Sequence, residues 1–186
     1  SLSRSNNGHI LPAGNYYLYE NITTDRPIMI SGDVNLCLNG YTITTTADLS
    51  GRGKALIKND AHSLTICDCS EQGKGEIKAP SGAMNGILTT GALTMYGGTI
   101  TGGANYGVYV TTFNSSSSTG TFNMYGGTIT GNQTGVDRYE NANTLTFGGD
   151  AKIKDNTNIN VSLLNTGIIT IDASLTQDAK IGVFFT

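Results

Sequence analysis

Four consecutive residues carry the side chains best suited to chemistry: Asp137, Arg138, Tyr139 and Glu140. Two carboxylates beside a cation resemble the equipment of a polysaccharide-degrading enzyme, since glycoside hydrolysis needs a carboxyl pair about 5 to 9.5 Å apart. A polysaccharide lyase would need a base, often with Ca²⁺ held by several carboxylates. If the chain is an enzyme, Asp137, Arg138 and Glu140 are its candidate catalytic residues.

The local pattern places residues 137–140 on one loop, so a facing carboxylate has to come from elsewhere. Asp68 and Glu71, from an earlier insertion, are the candidates to approach it. The alternative is a solvated loop, because exposed charged side chains are ordinary on a protein surface. We expect the solvated loop, and therefore no catalytic residue.

Tyrosines form a second group of candidates. Tyr96 and Tyr125 occupy the same position in two copies of a repeat, and period-2 alternation predicts that both point outward. Tyr139 falls on a following side of the same structure. Tyrosine offers a flat apolar face with a polar tip, so these three residues are candidates to stack on sugar rings. The alternative is that Tyr96 stacks on Tyr125, a neighbour contact that contributes about 0.2–1 kcal/mol to a sheet.

The three cysteines, Cys37, Cys67 and Cys69, are an odd number. The Cys67-Asp68-Cys69 spacing lacks the companion Cys or His residues of a zinc site, so we expect no metal and no cofactor. Cys37 lies one repeat earlier, which leaves a disulfide to Cys67 or to Cys69 open. The alternative is that all three pack as small buried apolar residues.

The repeat itself is clearest in residues 93–102, which read LTMYGGTITG. Residues 122–131 read FNMYGGTITG, at an offset of 122 − 93 = 29 residues. Fainter copies begin at Leu36, Leu64 and Leu145, and the last begins at Ile168. Self-similarity at a nearly fixed period is typical of stacked-repeat architectures.

Alternation within the repeat predicts which residues form the core. Leu93, Met95 and Ile100 point inward, and Gly97-Gly98 permits a sharp bend between two short strands. Equivalent inward positions are apolar in the other copies: Leu36, Leu38, Ile43, Leu64, Ile66, Ile77, Phe122, Met124, Ile129, Leu145, Phe147, Ile153, Ile169 and Ile171. The pattern predicts an all-β parallel β-helix of roughly six or seven coils. A β-sandwich is the competitor, but it gives no reason for near-identical repeats.

Apolar segments between the repeats predict a third side to each coil, with Ile87, Val108 and Val136 inward. Residues 68–75 and 113–120 read as insertions, the second a flexible surface loop. Residues 1–35 do not follow the repeat and are predicted to be an N-terminal cap on the solenoid of residues 36–186. The apolar ending IGVFFT has no polar cover, so we expect a fragment of a longer protein whose other domains are partners.

Composition excludes several classes of function. The net charge is −3 and no basic stripe exists, which argues against a nucleic-acid partner. No apolar run approaches the roughly 20 residues of a membrane span, so no membrane insertion is expected. The 25 glycines and the Thr/Asn/Ser tracts favour short strands and turns over helices.

Four segments resemble a group of secreted surface proteins of gut Firmicutes: LCLNGYTIT, LTICDCS, LTMYGGTITGG with NYGVYV, and the stretch from NINVSLL to AKIGV. The resemblance covers residues 14–183 and implies a right-handed parallel β-helix. It also implies an adhesin, a cell-surface repeat protein or a module attached to carbohydrate-active enzymes. No catalytic residue follows from it, and this chain departs from the pattern by placing tyrosine at positions 96 and 125.

Together these observations predict a non-catalytic module, secreted or attached to the cell wall, that binds a glycan or a surface protein. A polysaccharide-degrading enzyme, or a fragment of one, is the first alternative. A structural spacer between other domains is the second.

Overall fold

The computed structural model describes residues 3–5, 8–51, 53–80, 82, 85–112, 119–140, 143–163 and 167–185. Within these ranges the chain is all-β, with 23 strands in three sheets and no helix. Most of the predicted insertion at 113–120 lies outside the described residues. In the described part of the chain, no helix is long and apolar enough to cross a membrane.

From β2 onward, each sheet takes every third strand along the chain. Sheet A contains β1 (Ser3–Ser5), β2 (Gly8–Leu11), β5 (Ile28–Ile30), β8 (Ala55–Asn59), β11 (Asn85–Thr89), β14 (Tyr106–Val110), β17 (Thr134–Arg138), β20 (Ile159–Leu163) and β23 (Val183–Phe185). Sheet B contains β3 (Gly14–Tyr17), β6 (Val34–Cys37), β9 (Ser63–Cys67), β12 (Ala92–Met95), β15 (Thr121–Met124), β18 (Thr144–Gly149) and β21 (Ile169–Leu175). Sheet C contains β4 (Ile22–Thr24), β7 (Thr42–Thr45), β10 (Glu76–Lys78), β13 (Thr99–Thr101), β16 (Thr128–Ile129), β19 (Lys152–Ile153) and β22 (Lys180–Ile181).

The pairing of these strands confirms the predicted fold. Successive strands pass from sheet A to B to C and return one level further on, and neighbours pair parallel, as in β9, β12 and β15. The described strands make seven three-strand coils, counted from sheets B and C, followed by β23. The chain is a right-handed parallel β-helix. A β-sandwich is excluded, because its neighbouring strands would pair antiparallel.

Inward side chains stack in register from coil to coil. Leu64, Leu93, Phe122 and Leu145 form one fully buried ladder in sheet B. Burial of one such side chain contributes about 1.5–3 kcal/mol. Ile171 pairs in register with the buried Phe147, as its predicted inward position requires, but its side chain is 52% exposed. Its strand, β21, is the last of sheet B among the described residues, so no further described coil covers it.

The bend between sheets B and C depends on glycine. Gly98 and Gly127 both have φ of +86°, a conformation that other residues adopt only with strain. A Cβ atom on Gly127 would also lie 2.7 Å from the carbonyl oxygen of Gly98 in the previous coil. The glycine pairs of the repeat are therefore required by the stacking of corners, which confirms the predicted bend.

Asparagines fix the opposite corner, between sheets C and A. Asn132 is fully buried, and its Oδ1 accepts a hydrogen bond from Gly103 N at 2.9 Å. Its Nδ2 donates to Asn156 Oδ1 at 3.0 Å, and Asn156 Nδ2 donates in turn to Asn160 Oδ1 at 2.9 Å. This internal ladder was not predicted, because an asparagine after glycine reads as a turn residue.

Most of the predicted cap at residues 1–35 has the geometry of the solenoid. Strands β2, β3 and β4 pair parallel with β5, β6 and β7 and form the first coil. Strand β1 is different, since it pairs antiparallel with β2 at the outer edge of sheet A. The segment thus begins the three-sheet stack while lacking the sequence repeat.

Candidate functional site

The outer face of sheet B carries the two tyrosines singled out by the repeat. Tyr96 directly follows β12 and Tyr125 directly follows β15, and these strands are paired in register. Backbone hydrogen bonds continue the ladder through both residues, from Tyr96 N to Ile66 O and from Tyr125 N to Met95 O. Tyr96 is 57% exposed and Tyr125 is half-buried, so the predicted outward orientation is confirmed.

The two rings stack on each other. Their centroids are 5.5 Å apart and their planes differ by 21°. This is the neighbour contact that the sequence offered as the alternative to ligand binding. The two roles are compatible, because Tyr96 keeps more than half of its surface exposed while Tyr125 supports it from the next coil.

Asp172 joins this pair from the far side. The hydroxyl of Tyr125 donates a hydrogen bond to Asp172 Oδ2 at 2.9 Å. Gly148 makes room for the ring, since a Cβ atom there would lie 3.1 Å from Tyr125 Cδ1. We call Tyr96, Tyr125 and Asp172 the tyrosine row. Sequence reasoning missed Asp172, although its place directly after Ile171 in an alternating strand marks it as outward.

The contact with Asp172 changes the acidity of Tyr125. The hydrogen bond to the carboxylate raises the pKa of the phenol, with burial and the charges of Asp172 and Tyr96 adding to it. The protonated phenol is therefore favoured in the folded state. Its stabilising contribution is present below the ordinary pKa of tyrosine and is lost as the pH rises through the raised pKa.

We therefore expect Asp172→Ala to shift the ionisation of Tyr125 to lower pH, toward the ordinary value for tyrosine. The absorbance of tyrosinate during alkaline titration measures this, and subtracting the curve of Tyr125→Phe isolates the one residue. Asp178→Ala is the matched control, because Asp178 is also an exposed aspartate in the last coil. An unchanged Tyr125 step in Asp172→Ala would contradict the hydrogen bond.

A strip of hydrogen-bonding side chains runs beside the tyrosine row on the same face. Its members are partly exposed and stand in register, one from each coil: Asn15, Asn35, Thr65, Thr94, Asn123, Thr146 and Thr170. We call this strip the polar row. Asn35 Nδ2 donates to Asn15 Oδ1 at 2.7 Å, so neighbouring members interact along the solenoid axis. Together the two rows form a flat face with hydroxyl and amide groups next to exposed aromatic surface.

Tyr139, the third predicted ligand-binding residue, lies elsewhere. It directly follows β17 of sheet A, and its ring meets Tyr109 edge to face at a centroid distance of 6.1 Å. Tyr109 is buried and stacks on Tyr106 at 4.7 Å. Tyr139 is 41% exposed but belongs to this separate aromatic group of sheet A, so the structure does not bring it into the tyrosine row.

The predicted loop at residues 137–140 is wrong in its first half. Asp137 and Arg138 are the last two residues of β17 and are only 5% and 3% exposed. Strands β14 and β20 pair with β17 on its two sides and hold its backbone in the sheet, although Asp137 and Arg138 carry charged side chains. Arg138 Nη1 donates to Asn143 O at 2.8 Å, and burial lowers the pKa of its guanidinium. Glu140 alone of the three candidate catalytic residues is exposed.

Asp68, the suggested partner for this group, has a different role at the corner between sheets B and C. Its Oδ1 accepts hydrogen bonds from Gly40 N at 2.8 Å and Ser70 N at 3.2 Å, and its Oδ2 accepts one from Gly75 N at 2.6 Å. Burial raises the pKa of Asp68, but these bonds outweigh it and the net shift is downward. The carboxylate holds three backbone segments together and does not face Asp137, which lies in sheet A.

The structure also decides between the two cysteine pairings. A disulfide joins Cys37 to Cys69, with Cα atoms 6.0 Å apart, and Cys67 is a free thiol. Cys37 and Cys67 are in-register neighbours on β6 and β9 of sheet B. All three cysteines thus lie at one end of these strands, one coil before Tyr96.

The chain matches no protein-family model, no curated protein and no solved structure. A functional assignment therefore depends on the geometry of the site itself. The tyrosine row and the polar row form a surface on which exposed aromatic groups and regularly spaced hydrogen-bonding groups coincide.

Proposed function

We propose that this chain is a non-catalytic binding module of a secreted or cell-wall-associated protein, and that the tyrosine and polar rows bind an extended neutral glycan. The observation that carries the proposal is the exposed ring of Tyr96, which Tyr125 supports from the next coil. The apolar face of a sugar ring stacks on such a surface, while its hydroxyls need nearby donors and acceptors. The polar row supplies these groups at the coil spacing of about 4.8 Å.

The scaffold favours binding because it is already in place. The rows are built on strands that pair in register over several coils, on both sides except at the end strands β3 and β21. The side chains therefore lose little freedom when a ligand binds. A linear chain of sugars can lie along the axis and contact several coils at once. This geometry favours oligosaccharides over single sugars.

Charge indicates the class of glycan. The carboxylate of Asp172, at the end of the tyrosine row, accepts a hydrogen bond from the hydroxyl of Tyr125. The chain also has a net charge of −3. An acidic glycan would meet repulsion at this point, whereas sugar hydroxyls can donate to the carboxylate. Neutral chains of hexoses or N-acetylhexosamines are therefore the expected ligands.

Two observations support an extracellular setting. The disulfide between Cys37 and Cys69 is of a kind that persists in oxidising compartments. The segments LCLNGYTIT and LTMYGGTITGG resemble secreted surface proteins of gut Firmicutes. Both support display outside the cell, with other domains of the same polypeptide as neighbours.

The test is a glycan array probed with the wild-type chain and with Tyr96→Ala. We expect the wild type to bind a set of neutral oligosaccharides. Tyr96→Ala should lose about tenfold or more in affinity, if a sugar ring gains as much from stacking as a nucleic-acid base does on one aromatic side chain, roughly 1–3 kcal/mol. Tyr19→Ala is the matched control, because Tyr19 is 74% exposed but lies in the first coil, after β3.

Three outcomes would contradict the proposal. They are binding of no glycan, equal binding by the wild type and Tyr96→Ala, and binding to a surface protein alone. Release of reducing sugar from a polysaccharide, abolished in Asp137→Ala, would contradict its non-catalytic part.

A further inference from the structure

The three cysteines form a compact cluster of sulfur atoms at the end of β6 and β9. Their Sγ atoms all lie within 4.8 Å of one another, and Cys67 Sγ is 3.8 Å from Cys69 Sγ. Cys37 is buried, Cys67 is half-buried and Cys69 is exposed, so the cluster opens to solvent on one side. Such convergence is more than a single disulfide requires, because a disulfide uses only two sulfurs.

The spacing matches that of sulfurs around one metal ion. Thiolates bind zinc at about 2.3 Å in tetrahedral geometry, which places neighbouring sulfurs about 3.8 Å apart. Cys67 and Cys69 already have this separation. Opening the disulfide requires only that the sulfurs of Cys37 and Cys69 separate to a similar distance.

The backbone around the cluster is held in place from two directions. Asp68, between the two cysteines, binds the amides of Gly40, Ser70 and Gly75 and so fixes the corner on which Cys67 and Cys69 stand. The amide of Cys69 donates a hydrogen bond to Cys37 Sγ at 3.1 Å. Amide donors of this kind orient thiolate ligands in metal sites.

We propose that Cys37, Cys67 and Cys69, when reduced, form a three-thiolate site for one soft divalent cation of the zinc and cadmium class. Both oxygens of Asp68 are occupied by backbone amides, so the fourth position of the tetrahedron faces solvent and takes water. Three soft thiolate ligands favour a cation such as zinc over magnesium or calcium, which prefer oxygen ligands. The proposal does not depend on glycan binding, although Cys67 lies on β9 two residues from Thr65 of the polar row.

A dithiol reductant supplies two electrons and two protons, which convert the Cys37–Cys69 disulfide into two thiols while the dithiol becomes a disulfide. The cation then displaces the protons of three thiols to solvent and forms three metal–sulfur bonds. The disulfide and the metal therefore exclude each other, since both use the sulfurs of Cys37 and Cys69.

A simple exchange of disulfide partners is the competing use of Cys67. It requires the thiolate of Cys67 to attack Cys69 Sγ and release Cys37. Such an exchange still leaves one disulfide and one thiol among the three sulfurs, whereas metal binding requires three thiolates. A bound cation deprotonates its coordinating thiols, so metal binding releases protons and weakens at low pH.

The experiment titrates Cd²⁺ into the full chain after reduction with dithiothreitol and removal of the reductant under anaerobic conditions. Sulfur-to-cadmium charge-transfer absorption reports binding, and circular dichroism reports the fold. We expect one Cd²⁺ per chain, displacement of pre-bound Zn²⁺ by Cd²⁺, and a higher melting temperature with Cd²⁺ than without it. Cys67→Ser should lose about tenfold or more in affinity. Ser63→Ala, an exposed position at the other end of the same strand, should bind as the wild type does.

The oxidised wild type is a further control. Its closed disulfide leaves only one thiol, so we expect no charge-transfer band. The proposal is overturned if the reduced wild type shows no band, or if Cys67→Ser binds as tightly as the wild type. It is also overturned if Cd²⁺ binds only a reduced chain that has unfolded, because the site requires the β6–β9 register.

Discussion

Replacing Asn132 with alanine is expected to lower the free energy of unfolding by about 3 kcal/mol, because it leaves buried groups without partners. Gly103 N loses its acceptor, and Asn156 Oδ1 loses the donor Nδ2. Asn132 Nδ2 also donates to Ile100 O at 3.2 Å and to Thr130 O at 3.0 Å. Denaturant unfolding followed by circular dichroism measures the change.

Asn158→Ala is the matched control for this effect. Asn158 lies on the next coil and is exposed, and its backbone N–H donates to Gln133 O. We expect a change within about 0.5 kcal/mol for this surface substitution. Equal stability of Asn132→Ala and Asn158→Ala would show that the asparagine ladder does not hold the corner between sheets C and A.

Asp68→Ala is expected to destabilise the chain by about 2–3 kcal/mol, since three backbone N–H groups lose one shared acceptor. These groups come from Gly40 in the preceding coil and from Ser70 and Gly75 in the same corner. Asp68→Asn keeps one acceptor oxygen, so its effect should fall between those of Asp68→Ala and the wild type. Thermal unfolding of the three proteins gives the order.

Glu71→Ala controls for the loss of a carboxylate from the same corner. Glu71 is exposed, and we expect its replacement to change stability by no more than about 0.5 kcal/mol. If Asp68→Ala were no less stable than Glu71→Ala, the three hydrogen bonds could not be the reason that this insertion is ordered.

The sequence alone was sufficient to predict the features that depend on local interactions and recur from coil to coil. Leu93, Met95 and Ile100 are fully buried as the alternation predicts, because a one-residue slip would turn the whole apolar set toward solvent. Gly98 was predictable as a bend for a similar reason, since its positive φ excludes most other residues. Near-identity between coils made both inferences secure.

Features that depend on register over long distances were not predictable. The contact of Tyr125 with Asp172 joins residues 47 apart and crosses a register shift after Phe147, which no local pattern reveals. Asp137 read as a loop residue because charge usually marks surface, yet pairing on both sides of β17 keeps it buried. The pairing of Cys37 with Cys69 instead of Cys67 likewise depends on the corner between sheets B and C, which the hydrogen bonds of Asp68 hold in place.

The most direct measurement of the central claim is the dissociation constant for the best-bound neutral oligosaccharide, determined by calorimetry for the wild type and for Tyr96→Ala with Tyr125→Ala. The rings support each other at 5.5 Å, so the double variant removes the aromatic part of the tyrosine row. We predict that binding weakens by about 100-fold or more, which corresponds to two stacking contacts of roughly 1–3 kcal/mol each, while Tyr19→Ala binds normally. Wild-type affinity in a folded double variant would contradict the account.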